Sequence, residues 1–148
     1  MISFDPNRKV RIENIRAKTV FLGGTCNDST WRDVLTALLD KNRVDVFNPV
    51  VKDWTNECRV REMEARMCSD YVLYVITPKM TGIYSIAEVV DDSNKRPNRT
   101  LFCVLSQDGE NMFTPHQVKS LKATELLVRS NGALVFDGLE EVAQFLNS

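Results

Sequence analysis

From residue 18 onward, short apolar runs rich in β-branched residues alternate with stretches whose apolar positions recur every three or four residues. That alternation is the pattern of a parallel sheet whose crossover helices cover both faces. Five strands are predicted: TVFLGG (19–24), VDVF (44–47), YVLYVIT (71–77), TLFCVLS (100–106) and ALVF (133–136), each followed by a polar turn. The first, third and fourth are almost wholly apolar, as buried central strands must be, whereas VDVF and ALVF are short enough for edges. This ranking predicts a doubly wound, flavodoxin-like three-layer α/β sandwich with a five-stranded parallel sheet in the order 2-1-3-4-5. The first helix has its stripe at Trp31, Val34, Leu35, Leu38 and Leu39, with Asp28 or Ser29 as N-cap. Later helices are predicted near 57–68, 85–95, 115–128 and 138–147. Pro115 suits the first turn of the fourth, and Asp137 and Glu140 have capping-box spacing at the start of the last. Residues 1–17 show no clear period and fit an arm, a short extra element or an oligomer contact. Residues 18–148 read as one domain.

A sheet of this order binds ligands outside the carboxyl ends of its strands, where the winding reverses, here between strands 1 and 3. Three loops reach that edge. GGTCNDST (23–30) offers Gly23, Gly24 and Thr25, the glycines permitting close backbone approach, followed by a helix N-terminus suited to an anion. NPVVKDW (48–54) brings Asn48, Asp53 and Trp54, and TPKMTGIYS (77–85) brings Thr81, Gly82 and Ser85. The third helix starts near Ser85, which puts Glu88 in its first turn beside the crevice. The second helix descends from the same edge, so Asp70 lies at the bottom of the sheet. Glu62, eight residues earlier and about 12 Å higher at the rise of an α-helix, looks into the crevice. Two carboxylates thus converge from neighbouring helices.

Composition removes several classes of function. The 19 basic and 20 acidic residues are spread along the chain and give a formal charge of −1, so charge alone does not draw a phosphate backbone, and nucleic-acid binding is not expected. Cys26, Cys58, Cys68 and Cys103 are far apart and accompanied by one histidine, His116, which argues against a zinc site or a disulfide framework and for a reducing compartment. No apolar run approaches the roughly 20 residues of a membrane span, and the charged N-terminus is unlike a signal peptide. A cytoplasmic location with no membrane association is expected, and no metal or cofactor is called for.

The runs VFLGGT, FNPVVKDW, YVLYVITP and above all TGIYSIAEVVDDSNKRP resemble the nucleoside 2-deoxyribosyltransferase-like family over about residues 19–106. The resemblance implies a nucleoside or nucleotide ligand and a homo-oligomer in which a neighbour completes each pocket. It also implies that Glu88, at the start of the helix after strand 3, is the nucleophile that attacks the anomeric carbon of a deoxyribose. Glu62 matches the acid that assists the leaving base, although many relatives have aspartate there. Three departures stand out. A strand-1 tyrosine common in the family is Phe21 here, the sugar-holding aspartate six residues before the glutamate is Gly82, and Val89-Val90 replaces a frequent Leu-Gly. The chain is therefore similar to the divergent, transferase-like branch.

Cleavage of an N-glycosidic bond passes through an oxocarbenium-like state, for which a carboxylate below the ring and an acid near the base are the tools. The leading function is deoxyribosyl transfer between bases or hydrolysis of a deoxynucleoside 5′-monophosphate. A non-catalytic nucleotide-binding or sensing module is the alternative that the three departures favour, and a flavin-binding electron carrier also suits the strand order. Local readings compete residue by residue. Ser85-Ile86-Ala87-Glu88 has capping-box spacing, Glu62 and Arg66 are an i,i+4 pair, and Asp91 and Asp92 read as solvated helix residues. Trp31 and Cys26 read as packing residues, Arg32 as a phosphate ligand or a solvated side chain, and Trp54 as a surface on which a base stacks.

Overall fold

The protein is described here by a computed structural model covering residues 16–148. In chain order its elements are β1 (Lys18–Gly24), α1 (Trp31–Leu38), β2 (Val44–Phe47), α2 (Asn56–Cys68), β3 (Tyr71–Ile76), α3 (Tyr84–Lys95), a 3-10 turn (Pro97–Arg99) and β4 (Thr100–Val104). There follow β5 (Gln107–Asp108), β6 (Asn111–Met112), α4 (Pro115–Ser130), β7 (Leu134–Phe136) and α5 (Leu139–Asn147). Five strands form one parallel sheet in the order β2-β1-β3-β4-β7, the predicted flavodoxin-like arrangement, with the reversal of winding between β1 and β3. Both predicted edge strands are edges.

Period-2 alternation sends successive strand residues to opposite faces, and here both faces are apolar. Val20, Leu22, Leu73, Val75, Leu101 and Cys103 face Trp31 and Leu35 of α1 and Val142 and Leu146 of α5. Phe21, Val72, Tyr74, Ile76 and Phe102 face Val89 of α3 and Leu121 and Val128 of α4. Leu35, Val89, Val128 and Leu146 are 0% exposed, and burying each such side chain contributes about 1.5–3 kcal/mol. α2 packs on the second face only lightly: none of its residues is fully buried, and half-buried Ala65 is its contact with that core.

Helix starts differ in detail from their predicted caps. α1 begins after Thr30, which makes no side-chain cap; Asp28 has a positive φ of 59°, and the Ser29 hydroxyl is turned to Asp108. Of the predicted α1 stripe, Trp31, Leu35 and Leu39 are buried, but Val34 and Leu38 are exposed, because five apolar positions span a wider arc than the sheet and α5 cover. The capping box expected at Asp137 and Glu140 does not form: Gly138 is the N-cap and has no side chain to cap with, while the Glu141 carboxylate at N3 accepts from the backbone N–H of Asp137. α4 has a full capping box between Thr114 and Gln117, with Pro115 at N1 as predicted. Thr55 caps α2 by accepting from the Cys58 backbone N–H.

The fourth predicted strand stops at Val104, and the chain then makes the small antiparallel hairpin β5–β6. Gly109, at φ 60°, occupies the first of the two loop positions, where a tight hairpin turn needs glycine. Asp70 lies at the bottom of the sheet as expected, accepting from the backbone N–H and hydroxyl of Thr19 at the start of β1. Those contacts, with the Thr19 backbone first, hold its carboxyl below the usual range. The reading of residues 1–17 as an arm or extra element falls, up to residue 15, outside the described residues. Among the described residues no helix is long and apolar enough to cross a membrane.

Candidate active site

α2 and α3 present facing side chains above the second core, and between them opens a cleft of about 360 Å³ lined by Trp54, Arg59, Glu62, Met63, Arg66, Tyr84 and Glu88. Its volume is at the lower end of the range for small-molecule sites. Spacing explains the lining: Arg59, Glu62, Met63 and Arg66 recur at three and four residues along one face of α2, as Tyr84 and Glu88 do on α3. The cleft brings together the two predicted catalytic acids and the predicted stacking residue, Trp54, which is 58% exposed.

Glu88 is 8% exposed. It is the fifth residue of α3, one place beyond the first turn in which the sequence put it, and it does not cap. The N-cap position belongs to Ile83, with no side-chain cap bond, so Ser85 and Glu88 do not form the capping box that their spacing allows. Instead Glu88 Oε2 stands 3.6 Å from Arg66 Nε. Burial pushes the Glu88 carboxyl up from 4.5 to about 7; the Arg66 charge opposes the shift, and Glu62 and Asp92 add to it.

Behind Glu88 lies a buried polar cluster. Asp92 is 0% exposed, which corrects its reading as a solvated helix residue; only Asp91 beside it is partly open, paired with Lys95 at 2.9 Å. Arg66 donates through Nε to Asp92 Oδ2 and through Nη2 to Asp92 Oδ1, both at 3.0 Å. The Tyr74 hydroxyl donates to Asp92 at 2.6 Å and accepts from Arg66 Nε at 3.0 Å. Arg96 donates to Asp92 from one turn further along α3. The i,i+4 partner that the sequence offered Arg66, Glu62, thus gives way to acids on the next helix. The reason is electrostatic: a buried carboxylate needs charged donors, and Asp92 is more deeply buried than Glu62. Burial works against the Arg66 charge, but its hydrogen bonds to Asp92 and the surrounding anionic groups outweigh it and raise its pKa. Burial, then the bond to Asp92, pushes the Tyr74 phenol well above its ordinary value.

The other predicted binding residues lie outside this lining. Phe21 is 1% exposed, stacked on Phe47 and edge-on to Tyr74. Gly23 makes room for Tyr74, whose ring would come within 2.6 Å of a Cβ there, and Gly24, at φ 117°, lies against the Val75 backbone. Thr25 is buried and accepts from the Thr77 backbone N–H at 2.9 Å. Asn48 accepts from the Val50 backbone N–H within its own loop, and Asp53 is exposed. Thr81 accepts from Asn27 at 2.6 Å, Gly82 has open space around it, and Ser85 is half-buried in the first turn of α3.

Arg32 is neither a solvated residue nor turned to a ligand. At 6% exposure it donates to the Leu22 and Thr25 carbonyls and lies 4.4 Å over the Trp31 ring, its charge disfavoured by burial. Cys26 is exposed rather than packed, in a loop where Asn27 and Asp28 are exposed as well. Asp108 of the unpredicted hairpin ties the loops at this edge together, accepting from Ser29 and Thr77 at 2.6 Å each and pairing with Lys79. Burial opposes its charge, yet those partners hold its carboxyl below the usual range. Among the described residues no group of three or more His, Cys, Asp or Glu could hold a metal ion.

Sequence reasoning missed Arg59, Met63, Arg66 and Tyr84 in the lining of this cleft, and Asp92 and Tyr74 in the cluster behind it. Signals for two of them were present: Glu88, Asp92 and Arg96 recur at i,i+4, and Arg66 is one turn from Glu62. The doubly wound sheet, with a two-carboxylate cleft between the helices flanking β3, places the protein among the flavodoxin-like α/β proteins. Within that class, the family described as nucleoside 2-deoxyribosyltransferase like matches residues 17–107, and the chain belongs to that family. Among curated proteins none matches the chain.

Proposed function

We propose that the protein is an N-glycosidic enzyme acting on a deoxynucleoside or deoxynucleotide through Glu88. The observation that carries this reading is that Glu88 and Glu62 line one cleft together with exposed Trp54, in a chain of this family. A Glu88 oxygen attacks C1′ and the C1′–N bond breaks, its electron pair leaving with the base, which takes a proton from Glu62. A second base or water, giving its proton to Glu62, then attacks C1′, and the C1′–O bond breaks to restore the Glu88 carboxylate. Trp54 stacks on the base, and its exposure supports that role.

Transfer and hydrolysis share this chemistry and differ in the acceptor. Incubation with deoxynucleosides and their 5′-monophosphates, with and without an acceptor base, separates them by chromatography. Release beyond one base per enzyme only with acceptor means transfer, and repeated turnover without it means hydrolysis. Glu88→Ala should abolish either; full activity in that variant would end the proposal. A binding or sensing module is the second reading, supported by Gly82, which offers no carboxylate to a sugar, and by Phe21, whose ring is committed to the core. Ligand binding without base release would favour it.

A homo-oligomer belongs to the same proposal. Met63 and Tyr84 in the cleft lining, with Val60 and Met67 also on α2 and Ile83 at the start of α3, are between 49% and 74% exposed, apolar surface that a second copy would cover. Sedimentation as a monomer at micromolar concentration would count against it.

A further inference from the structure

Arg66 is placed unusually for a partner of a reactive carboxylate. Its Nε and Nη2 hydrogen bonds go to Asp92 and Tyr74, with a longer one of 3.3 Å to Asp91, and this holds the guanidinium 3.6 Å from Glu88 Oε2. That separation is within ion-pair range but beyond hydrogen-bond length. Asp92 does not depend on Arg66 for satisfaction, because Arg96 and Tyr74 already donate to its two oxygens. The guanidinium therefore adds positive charge at a point where the cleft otherwise gathers negative charge.

We propose that Arg66 is a positioning residue for Glu88: Asp92 and Tyr74 take its hydrogen bonds, so it supplies charge that favours the carboxylate without binding the lone pairs that must attack. The proposal rests on Glu88 as the nucleophile. A direct two-pronged Arg–carboxylate pair would stabilise the anion more but would oppose its conversion to an ester. When Glu88 becomes a neutral ester, Arg66 keeps Asp92 as its counter-ion and is not stranded. The groups facing Glu88 are Arg59, Glu62 and Arg66 from α2, Tyr74 from β3, and Tyr84 and Asp92 from its own helix. Burial and the two acids disfavour its charged form, and Arg66 opposes them.

The test reads Glu88 directly, by carbon-13 NMR of side-chain carboxyl-labelled glutamate in the full chain, with the Glu88 signal assigned from its loss in Glu88→Gln. In Arg66→Gln the titration midpoint should rise by about one unit or more, and in Arg66→Lys by less, because the ammonium keeps the charge. Base release by Arg66→Gln should fall about tenfold at pH 6, one pKa unit being a tenfold change in the ionised fraction, and recover toward the wild-type rate by pH 9. An unmoved midpoint, or a loss equal at every pH, would overturn the proposal. Should Arg66→Gln fail to fold, Arg66→Lys gives the same reading at smaller amplitude. Absence of base release from the wild-type protein would refute the glycosidic function while leaving the titration to decide the role of Arg66.

Discussion

Replacing Asp92 by alanine is the severest test of the cluster beneath the cleft. The carboxylate removed is 0% exposed and accepts from two guanidinium groups, whose side chains are 18% and 15% exposed, and from a phenol on a residue that is itself 0% exposed. Breaking a buried ion pair by deleting one partner costs about 3–5 kcal/mol, because the charge left behind is uncompensated. The orphaned Tyr74 hydroxyl would add about 1–3 kcal/mol if the losses were independent, but these groups share one network, so the total should stay near 4–5 kcal/mol. With a urea m-value of about 2 kcal/mol/M, the unfolding midpoint should fall by about 2 M. Asp91→Ala is the control: that side chain is 44% exposed, and screening limits its pairs with Lys95 and Arg66 to about 0.5 kcal/mol or less. Equal midpoint shifts in the two variants, or a loss under about 1 kcal/mol in Asp92→Ala, would refute the claim that Asp92 anchors this site.

Three further outcomes follow from the same structure. The Glu88 carboxyl has a folded-state pKa of about 7 against 4.5, so the native state binds the extra proton. Its contribution to stability is full below pH 4.5 and is lost as pH rises through 7, by on the order of 3 kcal/mol, so denaturation of Glu88→Gln should lack that fall. Gly24→Ala should lower the melting temperature most, since its Cβ would stand 2.0 Å from the Val75 carbonyl oxygen at φ 117°. Gly23→Ala should follow, with its Cβ 2.6 Å from the Tyr74 ring, and Gly82→Ala should be nearly neutral in thermal unfolding. Trp54 is exposed whereas Trp31 is 3% exposed, so a bound base should quench tryptophan fluorescence, and Trp54→Phe should remove most of the response.

The fold was legible because its signal is repeated: each central strand is apolar on both faces, and α1, α4 and α5 bury apolar stripes, although α2 buries no residue fully. β5–β6 escaped notice because two-residue strands have no period, although Asp108-Gly109 announced the turn. That Glu88 and Glu62 share a cleft was legible from helix direction and strand order, and that Trp54 reaches it from its place in the loop after β2. Asp92 was not, because a carboxylate at 0% exposure looks like any helical acid until the guanidinium groups that neutralise it are in place. Arg66 was misread for a related reason: sequence displays its partners on the same helix, whereas burial on the neighbouring helix decides which acids it joins. Val34 and Leu38 show the opposite limit, since an apolar stripe records what a helix face could bury and not how much of it the sheet covers.

The proposed reaction turns on a covalent bond between Glu88 and the sugar. Incubating the protein with a deoxynucleoside in the absence of acceptor base, quenching in acid, and mapping peptides by mass spectrometry would trap that bond. The expected result is a mass increase of one deoxyribosyl group on Glu88, absent from Glu88→Gln and discharged when acceptor is added. Base release at an unchanged rate from Glu88→Gln, or an adduct on another residue, would contradict it.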